Sequence, residues 1–347
     1  MKKVTMPSIF VVFVVLLLSS CTTLSYTSLD VLRPARVSFD PKATNILVVN
    51  NTVKQPIDYG HKTELFNETT KNLKIDTDSL ALFCLGALIE DLSEKEFFDN
   101  VHLHLNSVNT ETDFFTIKSI PQDSVKALCD RYNTDVVLSL DRFKVNDKIT
   151  ELYYGDTYTY YDALVARYES QWSIHYPDRE KFETTIFRDT IYWDSESPQR
   201  KKAIAALPKR TDALIDGALY VGRNSIKRLI PYWDKADRYF FNANSGALKN
   251  GMDSVYVKNW TAAIDIWTKG LSKRNLSAKA KLANNIAVAY EITGDVEKAI
   301  EYAQKSVDMF KSDPFVNYEH YACVLNYLQQ LNARKKEIEL IDKQLGN

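Results

Sequence analysis

Glycine and proline are scarce, with ten of each in 347 residues. Their scarcity excludes collagen-like and low-complexity chains and leaves few glycines for phosphate-cradling loops. Charge of one sign is not in surplus either, with 44 Lys and Arg against 45 Asp and Glu. A nucleic-acid binder needs a basic stripe, so no nucleic-acid partner is expected. Only four cysteines occur, none in C-x-x-C spacing, and a disulfide framework is excluded. No apolar run reaches the roughly 20 residues a membrane-spanning helix requires. What is present is 45% hydrophobic and 12% aromatic content, enough for two ordinary folded domains.

The chain starts with Met1-Lys2-Lys3, an apolar block from Ile9 to Leu18, and then Ser19-Ser20-Cys21. This is the order of a secretory signal peptide: basic region, short apolar region, small-residue cleavage site. Leu18-Ser19-Ser20-Cys21 resembles the lipobox of bacterial lipoproteins. The resemblance implies that residues 1–20 are removed and that Cys21 is lipidated as the first mature residue, anchoring the chain through its acyl groups. Thr22-Thr23-Leu24-Ser25 carries neither an Asp after the cysteine nor an acidic cluster. In lipoprotein sorting the first favours inner-membrane retention and the second favours surface export in Bacteroides-type bacteria. The expected address is therefore the outer membrane, facing the periplasm.

The polar stretch 21–43 reads as a tether. Residues 44–235 read as a mixed-sheet α/β domain. Asn45–Asn50 is a short buried strand, 78–92 a helix, and Val101–Leu105 a second strand. Pro121 opens a helix to Tyr132, and Thr134–Val145 makes a third strand. Leu164–Tyr176 alternates as a half-exposed strand, Pro177-Asp178 turns, and Phe182–Trp193 returns as its hairpin partner. A helix over about 199–229 ends before Pro231. Cys84 and Cys129 sit in apolar helical positions, and a bridge between them stays open. The order of elements, with the phrase Cys129-Asp130-Arg131-Tyr132-Asn133-Thr134-Asp135-Val136-Val137-Leu138, is similar to periplasmic domains of the curli-secretion and TolB amino-terminal types.

Residues 236–347 read as helical, so the expected class is α+β. Trp260, Ala263, Ile264, Trp267 and Leu271 form one apolar face, as do Val296, Ala299, Ile300, Ala303, Val307 and Phe310. Between them Leu282–Tyr290 is closed by Thr293-Gly294-Asp295. Tyr290, Gly294 and Ala299 resemble a tetratricopeptide repeat, whose period is about 34 residues. In such repeats the first helix of each pair lines a peptide-binding groove, which here implies Lys281, Asn284, Val288 and Glu291 as partner-binding residues. The stretch Arg228–Trp233 followed by Asp237–Phe241 resembles an uncharacterised lipoprotein family of Bacteroides-type bacteria. Its aromatics read as a packed seam between domains.

Candidate chemistry is sparse. Gly217 to Ser225 approaches a P-loop but lacks Lys before Ser and lies in a helical pattern, where glycines permit close packing. His102 and His104 share a strand face without a third ligand, and no metal site is expected. His61, His175 and His320 lack a nucleophile motif nearby. No cofactor is expected, and the chain reads as a non-enzyme. The Tyr-rich segment 153–161 is either a hairpin end or a sugar-stacking surface. Asp78-Ser79 and Asp123-Ser124 resemble a short O-glycosylation sequence and also read as helix caps.

Three functions follow as expectations. The first is an adaptor that binds an envelope protein through the repeats. The second is a subunit of an oligomeric secretion or envelope-assembly complex, and the third is a glycan-binding or glycan-active envelope protein.

Overall fold

The structure, a computed structural model, describes residues 23–110, 113–272 and 275–346. It divides into two compact units. One holds Ala35–Tyr232 and the residues from Gln344. The other holds Thr23–Pro34 together with the described residues of Trp233–Lys343. The division differs from the expected boundaries of 44–235 and 236–347 because the first strand, β1 (Thr23–Arg33), pairs with β9 (Tyr232–Asn242) of the second unit. The described part of the expected tether is thus folded. Thr27, Leu29 and Val31 alternate inward along β1, a period of two hidden within a Ser- and Thr-rich composition.

The first unit contains β2 (Asn45–Asn50), β3 (His61–Glu64), β4 (Lys71–Asn72), α1 (Leu80–Glu94), β5 (Asn100–His104) and α2 (Gln122–Tyr132). The long strands β6 (Val136–Tyr154), β7 (Thr159–Tyr176) and β8 (Arg179–Ser197) follow, then α3 (Arg200–Ala206) and α4 (Arg210–Leu229). The sheet is mixed, as the sequence implied. β2 runs parallel to β5 and to the first part of β6. The later part of β6 takes β3 in parallel, and β4 lies antiparallel on β3. β6, β7 and β8 form an antiparallel meander.

β2 is apolar throughout because both its faces are covered. Ile46 and Val48 join a core with Leu85 and Leu88 of α1, Val221 of α4 and Trp172 of β7. Leu47 and Val49 join Val125, Leu128 and Cys129 of α2. Cys84 and Cys129 belong to these opposite cores and are free thiols. No bridge joins them, because the sheet lies between, and burial pushes both thiols above the usual range.

The helix expected over 199–229 is two helices. Leu207 is extended, as a residue before proline tends to be, and Pro208 has no N–H to continue the ladder. The close-packing reading of the α4 glycines holds. A Cβ at Gly217 would meet the Tyr168 hydroxyl at 2.1 Å, and one at Gly222 the Cys84 carbonyl at 2.2 Å.

The second unit adds to the β1–β9 pair the helices α5 (Gly246–Tyr256), α6 (Trp260–Gly270), α7 (Leu276–Ile292), α8 (Val296–Lys311) and α9 (Tyr318–Leu345). Asn259, Asn275 and Asp295 each accept a backbone N–H and cap α6, α7 and α8. The caps expected in the first unit differ: Ser79 stands before α1 without a side-chain capping bond, and α2 starts after Pro121. Phe240 and Phe241 of β9 are buried with Trp267, Ile286 and Phe310. These aromatics therefore form the core of the helical unit, not a seam.

Candidate functional site

The residues expected to line a partner groove meet this unit's own strand. Asn284 and Val288 are fully buried, and Glu291 is nearly so. Asn284 donates to the Tyr239 carbonyl at 3.4 Å. The neighbouring Asn285 accepts from the Phe241 N–H and donates to the Phe241 carbonyl, both at 2.8 Å. Glu291 accepts two bonds from the Arg238 guanidinium at 2.7 Å and one from the Tyr327 hydroxyl at 2.8 Å. Lys281 lies half-buried with its ammonium 5.9 Å from the centre of the Phe241 ring. All of these contacts are made to strand β9 of the same unit or, for the Tyr327 hydroxyl, to α9. These four residues are contacts of the folded unit, not a free partner surface.

The other candidate region is one face of the first unit's sheet. Paired residues on adjacent strands share a face, and alternate residues along a strand return to it. By register Asn72, Lys62, Lys148, Val165 and Tyr192 form one row across β4, β3, β6, β7 and β8. The next row toward the β6–β7 hairpin contains Glu64, Thr150, Ala163 and Asp194, and the one after it Leu152, Tyr161 and Glu196. Asn146, Arg167 and Thr190 form the row on the other side.

Lys62, Glu64, Asn72, Asn146, Lys148, Thr150, Val165 and Arg167 line a cleft of about 890 Å³, walled by Asp58, Tyr59 and Gly60. The wall approaches the floor closely because Gly60 adopts φ +90°, and a Cβ there would meet Asn146 Oδ1 at 2.1 Å. Lys144 lies 5.7 Å from the Tyr59 ring, which also packs edge-on against Phe115.

Beyond the cleft the same face becomes aromatic. Leu152 is 51% exposed, Tyr154 52% and Tyr192 69%. The Tyr154 and Tyr161 rings lie 6.4 Å apart. Asp194, beside Tyr161, helps to raise its phenol pKa after burial. The Tyr-rich segment is accordingly a hairpin end, with the Tyr153 and Tyr160 rings packed across the strands at 4.8 Å and tilted by 41°, and its alternate tyrosines contribute to an open surface.

The opposite side of this sheet carries buried polar groups. His61 Nδ1 meets Asp147 Oδ1 at 2.5 Å, and Arg210 Nε lies 3.2 Å from Asp147 Oδ2. All three are closed to solvent or nearly so, which suits structural pairing. Glu151 accepts two bonds from Arg200 Nε at 2.9 and 2.8 Å and one from the Phe66 N–H at 2.9 Å. Asp162, opposite Glu151 on β7, is fully buried with neither oxygen hydrogen-bonded. Burial and the Glu151 charge push its carboxyl up to about 6.

Ser139, Asp141, Ser173 and His175 contain the residue types of a hydrolytic triad, but the connections differ. Asp141 accepts from Ser139, Ser173 and Asn51, while His175 Nε2 contacts Ser139 at 3.2 Å. The carboxylate does not orient the imidazole, and all four are buried. His104 Nδ1 bonds the Tyr132 hydroxyl at 2.9 Å. Cys21 lies outside the described residues.

With this geometry in place, the comparisons locate the chain. A family model described as a domain of unknown function, DUF8603, matches residues 43–241, more than half of the chain. The chain belongs to that family. A second model, the domain of unknown function DUF6340, matches residues 249–333. No curated protein matches.

Two solved structures are similar in part. One is an uncharacterized protein, 11% identical, covering 53% of this chain and 91% of its own, with a TM-score of 0.24. The other is a putative neuraminyllactose-binding hemagglutinin homolog from Helicobacter pylori, 14% identical, covering 56% and 90%, with a TM-score of 0.28.

The open face drew only one signal from the sequence, the tyrosines of 153–161. The proximity of Lys62, Arg167 and Tyr192 depends on strand register, which no local pattern carries. The alternation of Lys62 with Glu64 and of Lys148 with Thr150 marks an exposed face once the strands are known.

Proposed function

We propose that this protein is a lipid-anchored, non-enzymatic binding protein of the cell envelope, and that its ligand is a glycan held on the open face of the β6–β8 meander. The observation that carries this reading is the continuity, on one sheet face, of a polar cleft with the exposed side chains of Leu152, Tyr154 and Tyr192 and the half-buried Tyr161, which lie in several rows of that face. Sugars present hydroxyls that hydrogen-bond to amides and carboxylates and C–H faces that stack on aromatic rings, and this surface offers both.

The anchor rests on Lys2, Lys3, the apolar block and the Leu18–Cys21 lipobox, and the outer-membrane, periplasm-facing address rests on Thr22–Ser25. Among the described residues no helix is long and apolar enough to cross a membrane. The tetratricopeptide-like helices, whose groove position holds β9, serve in this reading as a scaffold. An adaptor role would need a surface other than Asn284, Val288 and Glu291.

The test is retention of the full-length protein, extracted in detergent, on immobilised envelope polysaccharides. The wild type is expected to be retained and the Tyr154→Ala/Tyr161→Ala/Tyr192→Ala variant lost, at unchanged thermal stability. Equal retention of the two contradicts the assignment. Palmitate labelling that disappears in Cys21→Ser tests the anchor separately.

A further inference from the structure

The cleft has a charge arrangement that goes beyond general sugar binding. Lys148 is ion-paired to Glu64. Asp147 is engaged by His61 and Arg210 on the other side, and Lys144 lies over the Tyr59 ring. Lys62 and Arg167 make no ion pair with any described residue, although both line the cleft. Asp58 is the remaining acid on its wall.

Lys62 is on β3 and Arg167 on β7, two strands apart and one same-face row apart. Strand spacings of about 4.8 Å and a rise of about 3.3 Å per residue place their Cα atoms about 12 Å apart. Both side chains line the same cleft, and side chains of their length span a separation of that size. The acid of this face that lines the cleft, Glu64, is taken up by Lys148, which leaves the charges of Lys62 and Arg167 for an incoming anion.

We propose that the cleft selects acidic sugars, with the carboxylate of a uronic-acid-type residue seated between Lys62 and Arg167 while neighbouring sugar rings extend toward Tyr192 and Tyr161. This rests on the glycan reading above. Arg167 supplies the planar fork that matches a carboxylate, and Lys62 supplies a point charge from the opposite side. Asn72 and Asn146 line the cleft between and beside them, where amides suit sugar hydroxyls. Asp58 opposes the anion and limits affinity.

The experiment measures binding of the full-length protein in detergent to polygalacturonate, dextran sulfate and neutral dextran. The variants are Lys62→Met/Arg167→Met, Asp58→Asn, the triple tyrosine variant and, as a control for bulk charge, Lys181→Met on β8. Wild type is expected to prefer polygalacturonate to neutral dextran by at least about tenfold. The double cation variant should lose that preference, Asp58→Asn should strengthen it, and Lys181→Met should leave it unchanged.

Binding of neutral and acidic polymers alike, abolished by the tyrosine variant, would overturn the acidic-sugar assignment and leave the glycan reading standing. Dextran sulfate bound as tightly as polygalacturonate would show general polyanion capture and contradict the carboxylate assignment. No binding to any of the three polymers would overturn the proposal, while retention on envelope polysaccharides would then decide the broader reading separately. Thermal unfolding of each variant separates loss of binding from loss of fold, since Lys62 and Arg167 are exposed.

Discussion

Along α7, Asn284, Asn285 and Glu291 are held by Tyr239, Phe241 and Arg238 of β9. Across β3, β6 and β7, by contrast, Lys62 and Arg167 line a cleft without an ionic partner among the described residues, beside tyrosines left exposed on the same sheet face. Both regions have polar side chains of the kind that bind extended or polyhydroxylated ligands. In the helical unit folding has consumed that capacity. In the α/β unit it has not, and this is why the proposed binding function is placed there. A repeat-like helix pattern implies a groove but does not say whether the groove is empty.

Four substitutions would sharpen or break this contrast. The largest effect is expected for Arg238→Met, which leaves the Glu291 carboxylate buried without its partner. Such losses amount to about 3–5 kcal/mol, readable by urea unfolding; an effect near zero would show that β9 is not integral to the helical unit.

Next is Asp162→Asn, with the opposite sign. The Asp162 carboxyl titrates near 6 in the folded chain against 3.8 ordinarily, so wild type bears an ionisation cost that grows as pH rises from about 4 to 6 and is complete above it. The variant should gain on the order of 2–3 kcal/mol at pH 7 and nothing below pH ~4. A pH-independent difference would contradict the account.

Asn285→Ala removes two bonds to β9 and leaves backbone groups of Phe241 unsatisfied. It should cost about 1–3 kcal/mol, measured by thermal unfolding, while glycan retention at temperatures below the transition stays intact. The smallest change in stability is expected for Tyr192→Ala, within about 0.5 kcal/mol as at other exposed sites. The same substitution should weaken glycan binding, and a variant that binds normally would remove Tyr192 from the face.

Much of the fold was legible locally. The apolar run Ile46–Val49 marked β2, Leu80–Ile89 marked α1, and the alternation from Leu164 to Tyr176 marked β7, because burial on two faces, one stripe or one face leaves its own period. Pro208 was a visible stop within an otherwise helical pattern, and the two-helix reading was available from it. β1 was harder to see. Its serines and threonines suggest solvent, and its partner is a strand some 200 residues later, out of reach of any local pattern. The buried face of α7 shows the same dependence, since no local pattern says that Phe240 and Phe241 pack in its core. The open face depends most on long-range register, which brings residues near 62, 148, 167 and 192 into adjoining rows.

Oxidative footprinting of the full-length protein with and without envelope polysaccharide tests the central claim most directly, because exposed tyrosines react readily and mark the covered surface. Protection of Tyr154, Tyr161 and Tyr192, with Tyr256 and Tyr318 of the helical unit unchanged, is the result expected. Protection confined to the helical unit, with the three open-face tyrosines as reactive as in the free protein, would contradict the assignment of binding to the α/β unit.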